Sequence, residues 1–214
     1  MQAATSIHFE APRLLASAEA PAQPVTLLCA DVVGFTLMSE RLGDRLALCV
    51  MRQVARAVRA EVAACGAELI EVRGDSFLLA FGDAAASLAC ALRIQGALGR
   101  GPESTLGERV RLRMAVHSGE ALRDGGGYFG RDVIVPFRLL DRVEPGGIAF
   151  SEAAAARLPA ELRLLFGELK RFQPKGMRES VAYARLEGAA PAGDAEASPR
   201  PGSARTGAAS ASIH

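Results

Sequence analysis

The feature that most constrains this chain is Val25-Thr-Leu-Leu-Cys-Ala-Asp31-Val-Val-Gly-Phe-Thr36. Val25 to Ala30 is an apolar run of strand length, which predicts a buried strand. Asp31 then sits at the strand's C-terminal end, where a carboxylate can reach a cation. Gly34 removes the side chain from a point where backbone could approach a ligand. Thr36 is expected to cap a following helix, whose first N–H groups would face outward as an anion site needs. One short segment thus offers a cation ligand beside a phosphate cradle. Read blandly, it is a buried strand with an acidic cap.

Composition narrows the setting. The chain has 214 residues, half of them hydrophobic, enough for one ordinary domain with tails. A net charge of +1 gives no reason to expect a polyanion partner. The absence of Trp and an aromatic content of 5% argue against a base-stacking surface, so no nucleic acid is expected. Cys29, Cys49, Cys65 and Cys90 form no Cys-x-x-Cys pair and read as reduced core residues of a cytoplasmic protein. Residues 1–24 lack the basic start of a signal peptide, and Ala18 to Pro24 reads as a linker. No run is long enough for a membrane span. Residues 188–214 are rich in Ala, Gly, Ser and Pro and are expected to be a disordered tail. The folded domain is therefore expected over residues 25–187.

Taken in order, the chain predicts a short helix from Leu37 to Leu42, broken at Gly43. A long helix follows from Asp44 to about Cys65, with Leu46, Cys49, Val50, Val54, Ala57, Val58 and Val62 on its apolar face. Gly66 is its stop. Ala67 to Val72 is a strand, Arg73-Gly74 a tight turn, and Asp75 opens the next strand through Phe81. A second helix spans Ala84 to Leu98, and a strand runs from Arg109 to His117 after a polar loop. The Gly125–Gly127 run reads as a hairpin tip. The order is that of a ferredoxin-like βαββαβ core, an α/β (α+β) fold with a C-terminal strand and helix extension. In that topology the strand after the turn lies beside the first strand, which puts Asp75 next to Asp31. Two carboxylates so placed suit a hard cation such as Mg²⁺ or Mn²⁺.

With these residues in place, the chain resembles the class III nucleotidyl cyclase catalytic domain, the adenylate and guanylate cyclase family. The resemblance rests on Ala30-Asp-Val-Val-Gly-Phe-Thr36 and Arg73-Gly-Asp-Ser-Phe-Leu-Leu-Ala-Phe81. Val110 to Gly119, Tyr128 through Arg138, Glu144-Pro-Gly-Gly147 and Pro174-Lys-Gly176 with Val181-Ala-Tyr183 agree in order and spacing. It implies conversion of ATP or GTP to a 3′,5′-cyclic nucleotide in signal transduction, with two Mg²⁺ or Mn²⁺ ions held by Asp31, Asp75 and the Val32 carbonyl. It implies a phosphate turn at Val33, Gly34, Phe35 and Thr36. Arg138 matches the arginine that stabilises charge on the transferred phosphate, and Lys175 the lysine that neutralises the triphosphate. It also implies sites shared across a head-to-tail homodimer, or a heterodimer with another cyclase chain.

The chain departs from that pattern in its base and ribose half. Glu71 stands where adenylate cyclases carry a base-selecting lysine, and a carboxylate there favours guanine. The second base-selecting position is Gly127, which has no side chain to read a base. The ribose-positioning asparagine is replaced by Ile134, and Pro136 interrupts the helix expected there. A degenerate domain that binds nucleotide or dimerises without turnover is therefore an alternative. A diguanylate-cyclase-like palm lacks its paired glycines and second acid here, and an RNA-binding module lacks its aromatic pair. His117 reads as a structural histidine, without a neighbour in sequence that would make it a base.

Overall fold

The structure, a computed structural model, describes residues 21–99, 110–124 and 126–188. Residues 1–20, with the first part of the expected linker, lie outside them, as do nearly all of the polar loop and of the C-terminal tail.

Strand β1 (Ala22–Val32) begins before the apolar run, so Ala22–Pro24, expected as linker, pairs with Leu122, Ala121 and Glu120. Helices α1 (Phe35–Leu42) and α2 (Asp44–Cys65) follow, then the hairpin β2 (Glu68–Arg73) and β3 (Ser76–Phe81), and α3 (Ala84–Gly99). The long strand β4 (Leu112–Asp124) runs past His117, where the sequence suggested an end, into a hairpin with β5 (Gly127–Phe129). Next come α4 (Arg131–Leu139), a 3₁₀ turn at Leu140–Arg142, β6 (Ile148–Ser151), and the short helices α5 (Glu152–Ala155) and α6 (Ala160–Arg163). The antiparallel pair β7 (Lys170–Phe172) and β8 (Val181–Arg185) ends the described chain.

The eight strands form one sheet in the order β2-β3-β1-β4-β6-β8-β7, with β5 beside β4. Its first four members are the ferredoxin-like arrangement, with β3 and β4 both antiparallel to β1. The extension adds β6 parallel to β4, then β8 and β7.

Strand alternation decides which side chains meet which layer. Leu28, Ala30 and Val32 of β1 join Phe77, Leu79 and Phe81 of β3, and Leu112, Met114 and Val116 of β4, under α2 and α3. The opposite face carries Val25, Leu27 and Cys29 with Leu78, Ala80, Ala115 and Ala121, and α4 packs there through Leu139. Asp31, Arg113 and His117 have the parity of this second face.

Helix α2 corrects one detail. Its buried stripe is Ala47, Met51, Val54, Val58 and Val62, while Leu46 and Cys49 are exposed. Gly43 (φ 75, ψ 157) separates α1 from α2, and the face α2 buries is turned from the one the spacing suggested, with Ala47 and Met51 inward in place of Leu46 and Cys49.

Candidate active site

The β2–β3 hairpin closes through Gly74 at φ 60 and Asp75, between the paired residues Arg73 and Ser76. Asp75 is thus the second residue of the turn rather than the first of the strand. Its carbonyl accepts the Val32 N–H at 3.1 Å, which ties the turn to the end of β1. Asp31 faces Ser76 across β1–β3 and Arg113 across β1–β4. Ser76 donates to Asp31 Oδ1 at 2.9 Å, and the Arg113 guanidinium donates to Oδ2 at 2.7 Å. Partial burial, then the neighbouring charge of Asp31, raises the Asp75 pKa, against the pull of its own backbone N–H and of Arg113. Asp31 is close enough for its charge to oppose the ionisation of Asp75.

That repulsion, offset only in part by Arg113, suits the pair to a divalent cation, which would favour the ionised form of Asp75. Among the described residues no cluster of three or more Asp, Glu, His or Cys side chains forms a closed metal cage. Two carboxylates with the rest of the shell left to phosphate and water is a donor set suited to Mg²⁺. Arg113 was not singled out by sequence reading. The signal was available: once β4 is set antiparallel to β1, the residue opposite Asp31 is fixed, and it is a cation.

The phosphate turn is narrower than expected. Val33 gives its N–H to the Arg111 carbonyl at 2.9 Å and is not free to bind phosphate. Gly34, at φ 70 and ψ 22, is the residue that caps α1, and no side chain caps it; Thr36 lies one residue inside the helix. The left-handed Gly34 is what turns the chain directly from strand to helix. By position in the first turn, the N–H groups of Phe35 and Thr36 have no intrahelical partner.

Glu71 shares the α4 face with Asp31, since it stands opposite Leu78 and Asp31 opposite Ser76, two residues apart on β3. Its carboxylate is engaged by Arg73 at 2.7 Å, in an exposed pair. Gly127 opens β5, which packs beside β2. Ile134 is 46% exposed on α4. Pro136 does not end that helix: it is buried in the second turn, and α4 continues to Leu139.

Neither Arg138 nor Lys175 makes an ion pair or a side-chain hydrogen bond with the acids. Arg138 is exposed on α4 and makes no ion pair or side-chain hydrogen bond among the described residues. Lys175 lies exposed in the β7–β8 connection. That connection emerges at the opposite end of the sheet from Asp31, because β7 runs parallel to β6 and β4, and β4 antiparallel to β1. Four strand spacings separate β1 from β7, about 19 Å at the usual interstrand distance. A single chain brings Asp31, Asp75, Arg113 and the Gly34 turn together, and leaves Lys175 remote.

Similar structures give this arrangement a class. The guanylyl cyclase Cya2 superposes with a TM-score of 0.70 at 22% identity, covering 78% of this chain and 93% of its own. The adenylate/guanylate cyclase/hydrolase from Silicibacter pomeroyi gives 0.68 at 25% identity, covering 78% and 97%. The guanylate cyclase domain of RhGC from Catenaria anguillulae, in complex with GTP, gives 0.67 at 19% identity, covering 77% and 96%. The chain has the class III nucleotidyl cyclase catalytic fold.

In sequence, it is 27% identical over 127 residues to the Rhizobium meliloti (strain 1021) protein named "Putative adenylate cyclase 3". The match covers 59% of this chain and only 22% of that protein's length. No protein-family model matches. Among the described residues no helix is long and apolar enough to cross a membrane.

Proposed function

We propose that this chain is a nucleotidyl cyclase domain converting ATP or GTP to the 3′,5′-cyclic nucleotide and pyrophosphate. The observation that carries the reading is the carboxylate pair Asp31 and Asp75 at one sheet end, in a fold shared with cyclases. The ribose 3′-oxygen loses its proton and bonds to the α-phosphorus as the α–β P–O bond breaks.

Asp31, Asp75 and the Val32 carbonyl would hold two Mg²⁺ or Mn²⁺ ions, whose chemistry when bound is to neutralise the triphosphate and acidify the 3′-hydroxyl. Arg113 adds positive charge where the triphosphate would lie. The Gly34 turn would offer the Phe35 and Thr36 N–H groups to phosphate. Arg138 would stabilise charge on the transferred phosphoryl group, and Lys175 the polyphosphate, both from a second copy of the chain. A shared site accords with Arg138 lacking an ion-pair partner among the described residues, and with the exposed apolar side chains Ile134 and Phe137 on the same helix. Glu71 can accept from the guanine N1–H and N2 amino group if it leaves Arg73, which inclines the site to GTP.

The test is cyclic-nucleotide formation by purified protein with Mn²⁺ and ATP or GTP, beside Asp31→Ala. Product that disappears in the variant supports the reading. No product from either nucleotide, with the dimer intact, refutes it. That second outcome favours the degenerate-domain alternative, for which the specific observation is Ile134: at the ribose position it has no group to hydrogen-bond a hydroxyl.

A further inference from the structure

The second face of the sheet holds a polar cluster that the proposed reaction does not use. His117 of β4 is 8% exposed, and its Nδ1 lies 2.8 Å from Ser151 Oγ at the end of β6. Its Nε2 is buried without a hydrogen bond, 3.5 Å from Asp132 Oδ1. The other oxygen, Asp132 Oδ2, accepts the backbone N–H of Glu120 at 2.8 Å. Serine, histidine and aspartate in a line suggest a nucleophile, but Ser151 is 1% exposed and its Oγ already accepts the Ala154 N–H that caps α5. The cluster is not positioned to meet a substrate.

Its geometry suits a fastening. Asp132 is in the first turn of α4, the helix that carries Arg138. Gly119 lets the carboxylate lie flat on the strand: a Cβ there would sit 2.0 Å from Asp132 Oδ2. Pro136 gives the anchor a purpose. With no N–H at that position, the hydrogen bond to the Asp132 carbonyl cannot form, and the first turn is held to the second by one bond fewer. The Asp132 side chain, held by Glu120 N–H and faced by His117, replaces the lost tie from outside the helix.

We propose that Asp132 and His117 are positioning residues that fix the N-terminal turn of α4 on β4 and so set where Arg138 is presented. The charged groups facing the imidazole are Asp132 and Arg131 on α4 and Arg157 after α5. Burial lowers the His117 pKa most, Asp132 opposes it, and the two arginines add to the fall. His117 is therefore neutral near pH 7. It accepts the Ser151 hydroxyl at Nδ1 and turns its Nε2–H toward Asp132.

The catalytic part of this inference rests on the cyclase reading, so the test includes measurements that need no turnover. In Asp132→Ala, amide hydrogen exchange across residues 131–139 should accelerate, and the His117 titration midpoint, followed by NMR, should fall. If the wild type makes cyclic nucleotide, kcat should drop by about 10–100-fold with KM nearly unchanged, the signature of a displaced transition-state group. Asp132→Asn keeps an oxygen for the Glu120 N–H and should lose less. Gly119→Ala, which leaves every polar group in place but displaces the carboxylate, should reproduce the Asp132→Ala exchange pattern. Wild-type exchange across α4 in both Asp132→Ala and Gly119→Ala, with the His117 midpoint unmoved, would overturn the proposal. A wild type without cyclase activity would refute the proposed function, while exchange and titration would still decide the clamp.

Discussion

Arg113→Gln probes the centre of the site most directly. The guanidinium is 2.7 Å from Asp31, with side chains 32% and 16% exposed. At an effective dielectric of 20, two unit charges at that distance attract by about 6 kcal/mol before desolvation is counted. Partial exposure of the arginine and the desolvation of both ions reduce the net to about 1–2 kcal/mol. The metal-free variant should therefore melt about 2–8 °C below wild type. Its response to Mn²⁺ should run the other way. Arg113 lowers the negative potential that a divalent cation would use, and its removal should tighten Mn²⁺ binding by about tenfold, or about 1.4 kcal/mol. In excess Mn²⁺ the two melting temperatures should converge, because ligand stabilisation grows with affinity. The assay is thermal melting of both proteins across a Mn²⁺ titration, with Asp31→Ala as the blank. An equal Mn²⁺ shift in the variant and wild type would refute the idea that Arg113 and the cation compete for Asp31.

Two further outcomes follow from the same site. Partial burial and the charge of Asp31 raise the Asp75 pKa from its ordinary value, so its contribution to stability is present below the unfolded-state value and is lost as pH rises through the folded one. Cation binding needs the ionised form, so Mn²⁺ affinity should weaken as pH falls through that raised value, and binding should release protons; calorimetry in two buffers of different ionisation enthalpy reads both, and zero proton release in that range would contradict it. Mixing Asp31→Ala with Arg138→Ala chains, each inactive alone, should restore about a quarter of wild-type turnover, since half of randomly paired symmetric dimers then carry one intact site of two; no recovery, with subunit exchange confirmed, would refute sharing of Arg138 across chains.

Much of the fold was legible because it rests on local signals. The Val25–Ala30 run, the glycine stops at Gly43 and Gly66, and the Gly74 turn each fix one boundary through backbone chemistry that neighbours do not override. From that order the sheet topology follows, and with it the meeting of Asp31 and Asp75. What the sequence hid depends on contacts across strands. Nothing near Arg113 in the chain marks it as the partner of Asp31; antiparallel register does. His117 looked solitary because Ser151 and Asp132 arrive from elements far along the chain. Thr36 looked like a cap because hydroxyls usually are, yet a glycine already in the left-handed region starts the helix first. Cys49 looked like core because helical spacing marks an apolar face but not which edge of it the sheet will cover.

The separation of Lys175 from the acid pair has a consequence for how such a chain is controlled. On the proposed reading, neither end of the sheet completes a site, so a lone copy idles whatever its nucleotide supply. Output then tracks encounters, rising with the square of concentration when copies are sparse and linearly once they are paired. Any tether, scaffold or neighbouring segment that holds two copies head to tail would act as the throttle, without touching a single residue of the chemistry.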